Sequence, residues 1–395
     1  MLLSKGMKSL QLSLNDIIPK LKLRVPTVTA MAYSKARAKL RHTAFVELND
    51  RAVVQTMYED GDYQTLHGLR LLAVDGSKVQ LPNSPTLAKE FGTMPYSTTQ
   101  YAKHTEGEYT YALASVLYDV LNRIAIDAQF VSCKIYEPYV AESHLKHLQP
   151  TDLVIFDRGY ASYRMMARVQ LVGGQFLIRC PASSFVVVRD MFTGTDASDR
   201  TVEIKPNPVT RNNPDNKDLP ASLLVRFIRV QLSTGEYEVL ATSLLDTELY
   251  PYEIFKELYY YRWGVETFYG KLKTRLGLEN FSGLSVEAVK QDFHVAVLLT
   301  GVETIFTEDA ETHLGKQATK HKQKVNKAVS FSAIKQRAFE LFMSRESSEQ
   351  VLEQLTELFQ KNPTLVRTDR SKRPRGTKVA NKRLQFVLRK RKSLF

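Results

Sequence analysis

Two stretches of one pattern decide the fold: Leu71-Leu72-Ala73-Val74-Asp75 and Leu153-Val154-Ile155-Phe156-Asp157. In each, four apolar residues run directly into an aspartate, and a glycine follows within two residues. Uninterrupted apolar tetrads are typical of strands that are buried on both faces. Open sheets flanked by helices place ligand and catalytic groups beyond the carboxyl ends of their strands. We therefore predict two buried strands, with Asp75 and Asp157 as candidate site residues.

A turn is the alternative for the first of these aspartates. Asp75-Gly76 is an ordinary hairpin signal, and residues 78–81 could form the return strand. Taken singly, the turn is at least as good an interpretation as a site. The second aspartate in the same setting favours the site.

A third candidate acid lies on a helix predicted over residues 251–277. Arg262 lies three residues after Tyr259, Glu266 four residues after Arg262, and Lys273 seven residues after Glu266. At about 100° per residue they occupy a wedge roughly 60° wide. They lie about a quarter turn from an apolar stripe, so we expect them at the margin between core and solvent. Taken alone, this pattern favours an exposed ion pair between Arg262 and Glu266.

Three acids from separate segments, two on strands and one on a helix, match the needs of a two-metal phosphoryl-transfer site. Mg²⁺ prefers oxygen ligands and takes one or two carboxylates, with waters and phosphate oxygens completing its shell. Two such ions about 4 Å apart can stabilise both the attacking and the leaving oxygen. The combination of Asp75, Asp157 and Glu266 therefore predicts metal-assisted chemistry on a phosphodiester.

Together these residues resemble the DDE transposases of the insertion-sequence type four family. The resemblance covers residues 69–303, and its motifs are Asp75-Gly76-Ser77, Asp157-Arg158-Gly159-Tyr160, Tyr259/Arg262/Glu266/Lys273 and Asn280-Phe281-Ser282-Gly283. It implies an α/β fold, an RNase H-like mixed sheet with flanking helices that is interrupted by an all-β insertion. It also implies a transposase that binds element ends, cleaves the DNA and joins the 3′ hydroxyl to target DNA.

The resemblance also assigns roles to residues. It makes Asp75, Asp157 and Glu266 the catalytic residues and the ligands of two Mg²⁺ ions, with Mn²⁺ as a substitute. The predicted contacts to the DNA backbone are Tyr259, Arg262, Lys273, Arg158 and Lys271. The implied partner is double-stranded DNA, both element ends and target, bound by a homodimer.

The chain of 395 residues is long enough for more than one folded unit. We expect a helical basic N-terminal region at residues 1–65, a catalytic core at 66–310 and a helical C-terminal region with a basic tail at 311–395. The β-rich insertion falls at about residues 183–245. Its predicted strands cover residues 185–189, 201–205, 223–231 and 237–242.

Composition favours a globular protein, because 43% of the residues are hydrophobic and 10% are aromatic. No apolar run approaches 18 residues and no signal peptide is evident, so we expect no membrane association. The expected location is the bacterial cytoplasm, in association with the nucleoid. Cys133 and Cys180 show no metal-binding spacing and are expected to be buried free thiols. His144 and His147 are expected to be surface polar residues.

Charge is concentrated at the two ends of the chain. Residues 1–45 carry a net charge of +8 and residues 363–395 carry +11, whereas the whole chain carries +13. The residues between them are therefore mildly acidic. Basic ends of this kind are expected in a protein that binds phosphates. The alternative is a tail that only improves solubility, and the basic segment at residues 34–41 is equally compatible with a DNA groove or a solvated helix face.

Three other functions compete with transposition. A nuclease on the same core would hydrolyse DNA without joining it, and the carboxylates cannot separate the two because only the nucleophile differs. An inactive DNA-binding derivative is the second alternative, against which the intact acid set argues. A structural protein whose basic ends bind RNA is the third, and no interleaved aromatic and basic motif supports it.

Overall fold

The computed structural model describes residues 9–21, 27–95, 108–193, 197–232, 235–343 and 348–366. The predicted basic tail beyond residue 366 lies outside them. The chain divides into two compact units. The first consists of residues 1–53, 80–90 and 271–395, and the second of residues 54–79 and 91–270.

The elements are numbered here in chain order. The strands are β1 (Arg70–Gln80), β2 (Thr93–Pro95), β3 (Glu108–Asp119), β4 (Ile124–Ser132), β5 (Asp152–Phe156), β6 (Gln175–Cys180), β7 (Asp199–Ile204), β8 (Leu223–Gln231), β9 (Tyr237–Thr242), β10 (Gln323–Val325) and β11 (Pro363–Leu365). The helices are α1 (Leu10–Ile17), α2 (Ala30–Arg37), α3 (Thr43–Asn49), α4 (Thr56–Glu59), α5 (Pro85–Phe91), α6 (Glu137–His144), α7 (Tyr163–Leu171), α8 (Val186–Phe192), α9 (Pro208–Asn212), α10 (Ile254–Tyr260), α11 (Trp263–Gly270), α12 (Val286–Lys316), α13 (Lys327–Met343) and α14 (Ser348–Lys361).

The second unit is built on a mixed sheet. Within the described residues its strands follow the order β2-β3-β1-β5-β6-β9-β8-β7, with β4 also paired to β3. Strands β1, β5 and β6 are parallel, whereas β3 and β4 form an antiparallel hairpin. The arrangement β4-β3-β1-β5-β6 is that of an RNase H-like sheet, and helices such as α6 and α7 pack beside it. The predicted RNase H-like mixed sheet with flanking helices is therefore confirmed, whereas the insertion that was predicted to be all-β also contains the helices α8 and α9.

Both apolar tetrads form the buried parallel strands that the sequence predicted. Leu71 pairs with Leu153, and the parallel pairing runs from Arg70 to Ala73. Strand β1 nevertheless continues to Gln80, so Asp75-Gly76 is not a hairpin turn and residues 78–81 do not form a return strand. Asp75 lies two residues beyond the last paired position, and Asp157 directly follows β5.

The insertion extends the same sheet. Strand β9 pairs antiparallel with β6, and β8 and β7 continue outwards from it. The prediction of a strand at residues 185–189 is wrong, because this segment begins α8. Its run of valines is favourable for a strand, but Val187, Val188 and Met191 form a helical face that is buried in the core cluster. Tertiary packing here overrides intrinsic β propensity.

The first unit is mainly helical in its described part, where β10 and β11 form a small antiparallel pair. The 31-residue helix α12 packs with α3, α13 and α14. The basic segment predicted at residues 34–41 includes the end of α2, and its Arg37 donates hydrogen bonds to Gln291 at 2.7 Å and to Asp292 at 3.1 Å. Arg37 therefore stabilises the packing of this unit and does not lie on a solvated helix face. Contact of the rest of the segment with a DNA groove stays a prediction.

Candidate active site

The helix predicted over residues 251–277 is interrupted at Arg262. It consists of α10, α11 and a π-helical turn at Lys271–Arg275. Between α10 and α11 the backbone hydrogen bonds span three residues, from Arg262 N to Tyr259 O at 3.1 Å and from Val265 N to Arg262 O at 3.3 Å. Such bonds tighten the helix and bring residues three apart into line. Tyr259 and Arg262 consequently lie over one another in the interior, where they are 7% and 5% exposed. The predicted position at the margin of the core is wrong for these two residues.

Arg262 is the centre of the site's electrostatics. Its Nη2 donates to Oε1 of Glu266 at 2.6 Å, and its guanidinium lies over the rings of Tyr259 and Trp263. The ion pair expected from the i,i+4 spacing is therefore present. Burial acts to lower the pKa of Arg262, but Glu266, Tyr259 and Asp157 more than offset it and raise that pKa above its usual range.

Two buried polar atoms of this helix are left without a hydrogen bond. Among the described residues, neither Nε of Arg262 nor the hydroxyl of Tyr259 has a hydrogen-bond partner. A buried donor without a partner costs free energy, so such atoms require an explanation. Both are donors, and phosphate oxygens would satisfy them.

Asp75 is partly buried on β1. The backbone N–H of Gly76 donates to its Oδ1 at 2.9 Å. Burial, together with the like charges of Glu137 and Glu266, raises the pKa of Asp75 to about 7, although the Gly76 N–H and Arg262 act in the opposite direction. Burial is the largest of these effects on Asp75, and the two neighbouring carboxylates add to it.

Asp157 follows β5 and precedes the short 3₁₀ turn Arg158–Tyr160. Its carbonyl oxygen accepts a hydrogen bond from Tyr160 N at 3.1 Å. The charge of Asp157 bears on Arg262, as does that of Glu266, and Arg262 in turn bears on Asp75. The structure therefore places one guanidinium within electrostatic reach of all three predicted acids.

Two further side chains of the site were missed by the sequence patterns. Tyr269, one helical turn after Glu266, donates its hydroxyl to the carbonyl oxygens of Asp75 and Ala114, each at 2.9 Å. It fastens α11 to strands β1 and β3. Glu137, the first residue of α6, accepts a hydrogen bond from the Tyr160 hydroxyl and packs against Gly76. Neither residue stands out in the sequence, because only the fold brings it to Asp75.

The predicted DNA contacts occupy different positions. Arg158 is exposed in the turn directly after Asp157. Lys271 and Lys273 lie on the π-helical turn that follows α11, in the segment with which the first unit resumes. Their contacts with DNA stay predictions.

The donor set fits a hard divalent cation. Asp75, Asp157 and Glu266 offer only carboxylate oxygens, which are the ligands that hard cations prefer. Across the described ranges, no group of three or more His, Cys, Asp or Glu side chains is arranged to hold a metal ion, so the structure does not bring Asp75, Asp157 and Glu266 together as one metal-binding cluster. Mg²⁺ commonly takes few protein ligands and completes its shell with water and substrate oxygens.

A second polar constellation in this unit has another role. His144 Nε2 lies 3.0 Å from Ser115 Oγ, and His144 Nδ1 lies 2.8 Å from Asp127 Oδ2. Ser115, His144 and Asp127 are arranged as in the triad of a serine hydrolase. Ser115 and His144 are both 0% exposed, however, so no substrate reaches the Ser115 hydroxyl. The group instead connects α6 to strands β3 and β4. The expectation that His144 lies on the surface is wrong.

Comparison with known proteins agrees with this geometry. The family described as "Transposase DDE domain" matches residues 66–300, more than half of the chain. The chain belongs to this transposase family. The prediction of a DDE transposase is thereby confirmed at the level of the family, whose members generally use divalent metals.

One solved structure that the chain resembles is a piggyBac transposase in a synaptic complex with hairpin DNA. The sequence identity is 8%, the TM-score is 0.38, and the match covers 79% of this chain and 61% of that chain. No curated protein matches the chain. In the part of the chain that the structure describes, no helix is both long enough and apolar enough to cross a membrane.

Proposed function

We propose that this protein is a DNA transposase of the insertion-sequence type four family, which binds the ends of its element, cleaves there and joins the freed 3′ hydroxyl to target DNA. The observation that carries the proposal is the position of Arg262, whose charge bears on Asp75, Asp157 and Glu266 together. Membership of the transposase family supports the same conclusion.

The three carboxylates would hold two Mg²⁺ ions, which Mn²⁺ can replace. When bound, such ions stabilise the attacking and leaving oxygens of an in-line displacement at phosphorus. Both steps are in-line displacements at phosphorus, so the same arrangement serves both. Water is the nucleophile in cleavage, and the 3′ hydroxyl is the nucleophile in joining. Neither step requires a covalent intermediate with the protein.

Arg262 and Tyr259 would bind the DNA backbone beside the reacting phosphate. Arg262 Nε and the Tyr259 hydroxyl are buried donors that have no partner in the described residues, and phosphate oxygens accept such hydrogen bonds. A phosphate that binds the guanidinium competes with Glu266 for it. DNA binding would thus weaken the ion pair and free the Glu266 carboxylate for its role as a ligand.

The remaining contacts supply positive charge along double-stranded DNA. Arg158 would contact the backbone next to Asp157, and Lys271 and Lys273 would contact it after α11. Cleavage and joining act on two element ends and a target, which a homodimer accommodates.

Cleavage and joining assays test the proposal directly. The purified full chain would be incubated with Mg²⁺, a plasmid carrying its own coding region with flanking DNA, and a second plasmid as target. We expect breaks at defined flanking positions and new junctions on sequencing, both abolished by Asp75→Asn, Asp157→Asn and Glu266→Gln. Breaks without junctions would indicate the nuclease, and binding without breaks would indicate the inactive derivative. Cleavage by the Glu266 variant at the wild-type rate would refute the site.

A further inference from the structure

Glu137 lies at a point where two segments of the site meet. It begins α6, which is not among the elements that carry the predicted acids. A Cβ atom built on Gly76 would lie 2.5 Å from both Cδ and Oε1 of Glu137. The carboxyl group therefore packs directly on the backbone that follows Asp75. Only a glycine at position 76 permits this approach.

The same carboxylate also reaches the segment that carries Asp157. The Tyr160 hydroxyl donates a hydrogen bond to Oε1 of Glu137. Tyr160 is 3% exposed, its ring contacts Phe156 with centroids 5.4 Å apart, and its backbone N–H binds the carbonyl oxygen of Asp157. Tyr160 is thus rigidly attached to the Asp157 turn.

Glu137 also contributes charge. Because the carboxylate packs on Gly76, it places a like charge beside the segment that carries Asp75. An ordinary structural hydrogen bond to Tyr160 would need only a neutral acceptor. An acid in that place adds repulsion towards Asp75, which a cation bound between the acids would relieve.

We propose that Glu137 is a positioning residue of the active site, which links Gly76 of the Asp75 strand to Tyr160 of the Asp157 turn and adds negative charge that favours a divalent cation beside Asp75. This inference rests on the proposed function. Residues that surround metal ligands commonly change metal affinity or activity by about 10- to 100-fold when they are replaced.

Two variants separate the effect of the Glu137 charge from the effect of its hydrogen bond with Tyr160. Glu137→Gln keeps an oxygen that accepts the Tyr160 hydrogen bond but removes the charge. We expect Mn²⁺ to bind about tenfold more weakly, while single-turnover cleavage at saturating Mn²⁺ stays within about threefold of wild type. Tyr160→Phe keeps the charge but removes the hydroxyl. Its Mn²⁺ affinity should stay within about threefold, while the single-turnover rate falls about tenfold.

A third variant disturbs Glu137 without altering it. In Gly76→Ala the new methyl group meets the end of a flexible side chain, so the carboxyl group can move aside without unfolding the protein. Both Mn²⁺ affinity and the single-turnover rate should fall. The matched control is Glu142→Gln, which removes a charge on the same helix where it pairs with Arg164. It should leave both quantities unchanged.

The measurements are Mn²⁺ binding, from the electron paramagnetic resonance signal of the free ion, single-turnover cleavage, and thermal unfolding of each variant. Wild-type behaviour of Glu137→Gln and Tyr160→Phe in binding and cleavage would overturn the inference and leave the proposed function intact. Equal losses in Glu137→Gln and Glu142→Gln, in proportion to lost stability, would also overturn it. A wild-type chain that neither binds Mn²⁺ nor cleaves DNA would refute the proposed function, and the inference would fall with it.

Discussion

Asp75 is a carboxylate in surroundings that oppose its ionisation. Burial and the charges of Glu137 and Glu266 raise its pKa to about 7. A raised pKa of an acid means that its protonated form stabilises the fold. That stabilisation is complete below the unfolded pKa of about 4 and is lost as the pH rises towards 7. Above pH 7 the folded protein carries the full cost of this charge.

We therefore expect Asp75→Asn to stabilise the metal-free protein at pH 8 while abolishing cleavage. After allowance for partial exposure, the gain is about 1–2 kcal/mol, or a few degrees in the unfolding temperature. The gain should disappear near pH 4, and Mg²⁺ should stabilise the wild type but not the variant. Thermal unfolding at several pH values measures all three effects. A destabilised variant at pH 8 would contradict the argument, and the exposed Asp218→Asn is the control for loss of an acid elsewhere.

The pKa of Asp127 is shifted in the opposite direction. Burial acts to raise its pKa, but the hydrogen bond and charge of His144, with further help from Gln129 and His147, bring that pKa well below its usual range. A depressed pKa stabilises the fold above the unfolded pKa of about 4, and this stabilisation is lost as the pH falls further. Asp127→Asn should cost about 1–3 kcal/mol at pH 7 and progressively less below pH 4. Denaturant titrations at pH 7 and pH 3 measure the free energy of unfolding of the wild type and of Asp127→Asn. An equal difference between the two proteins at both pH values would show that Asp127 does not couple to acid unfolding.

At the scale of elements, the sequence predicted what depends on local pattern. The two apolar tetrads identified β1 and β5, and their aspartates lie beyond the paired segments of these two parallel strands. The valine run of α8 misled because burial in a tertiary core determined its structure. Tyr269 and Glu137 could not be found, since their role depends on contacts across 194 residues and on the packing of α6 against β1. The break at Arg262 was also missed, because no proline or glycine precedes it to indicate a change in the helix.

The packing of α11 on the sheet offers a test at this scale. Gly264 faces the end of β3, where a Cβ atom would lie 3.1 Å from Cβ and Cγ1 of Val120. Gly264→Val should displace α11 and with it Glu266, lowering stability by about 1–3 kcal/mol and reducing cleavage. Shortening the neighbour, in Gly264→Val with Val120→Ala, should restore part of both. Gly270→Ala on the same helix meets no atom within 4 Å and should be neutral or slightly stabilising. Equal effects of the two glycine variants would exclude close packing as the cause.

At the scale of the whole molecule, charge is divided between the ends and the middle of the chain. Residues 1–45 carry +8 and residues 363–395 carry +11, so residues 46–362 carry about −6. The acids that we propose as cation ligands would repel a polyanion. A protein of this composition needs positive charge elsewhere in its sequence to attract DNA. We assign that role to the basic termini, which contribute to affinity but not to the chemistry.

Removal of residues 367–395 tests this division of labour. The truncation deletes twelve Lys and Arg residues and one Asp. Each phosphate contact contributes about 0.9 to the slope of log affinity against log salt, so a tail that binds DNA should lower the slope by several units. Fluorescence anisotropy of labelled duplexes across a range of KCl concentrations measures it, and substitution of the same Lys and Arg residues by Gln is the matched control for chain length. At saturating DNA the truncated chain should cleave at close to the full-length rate, because residues 66–310 contain the acids. An unchanged slope would assign the tail to solubility alone, and cleavage lost at saturating DNA would show that the tail takes part in the reaction itself.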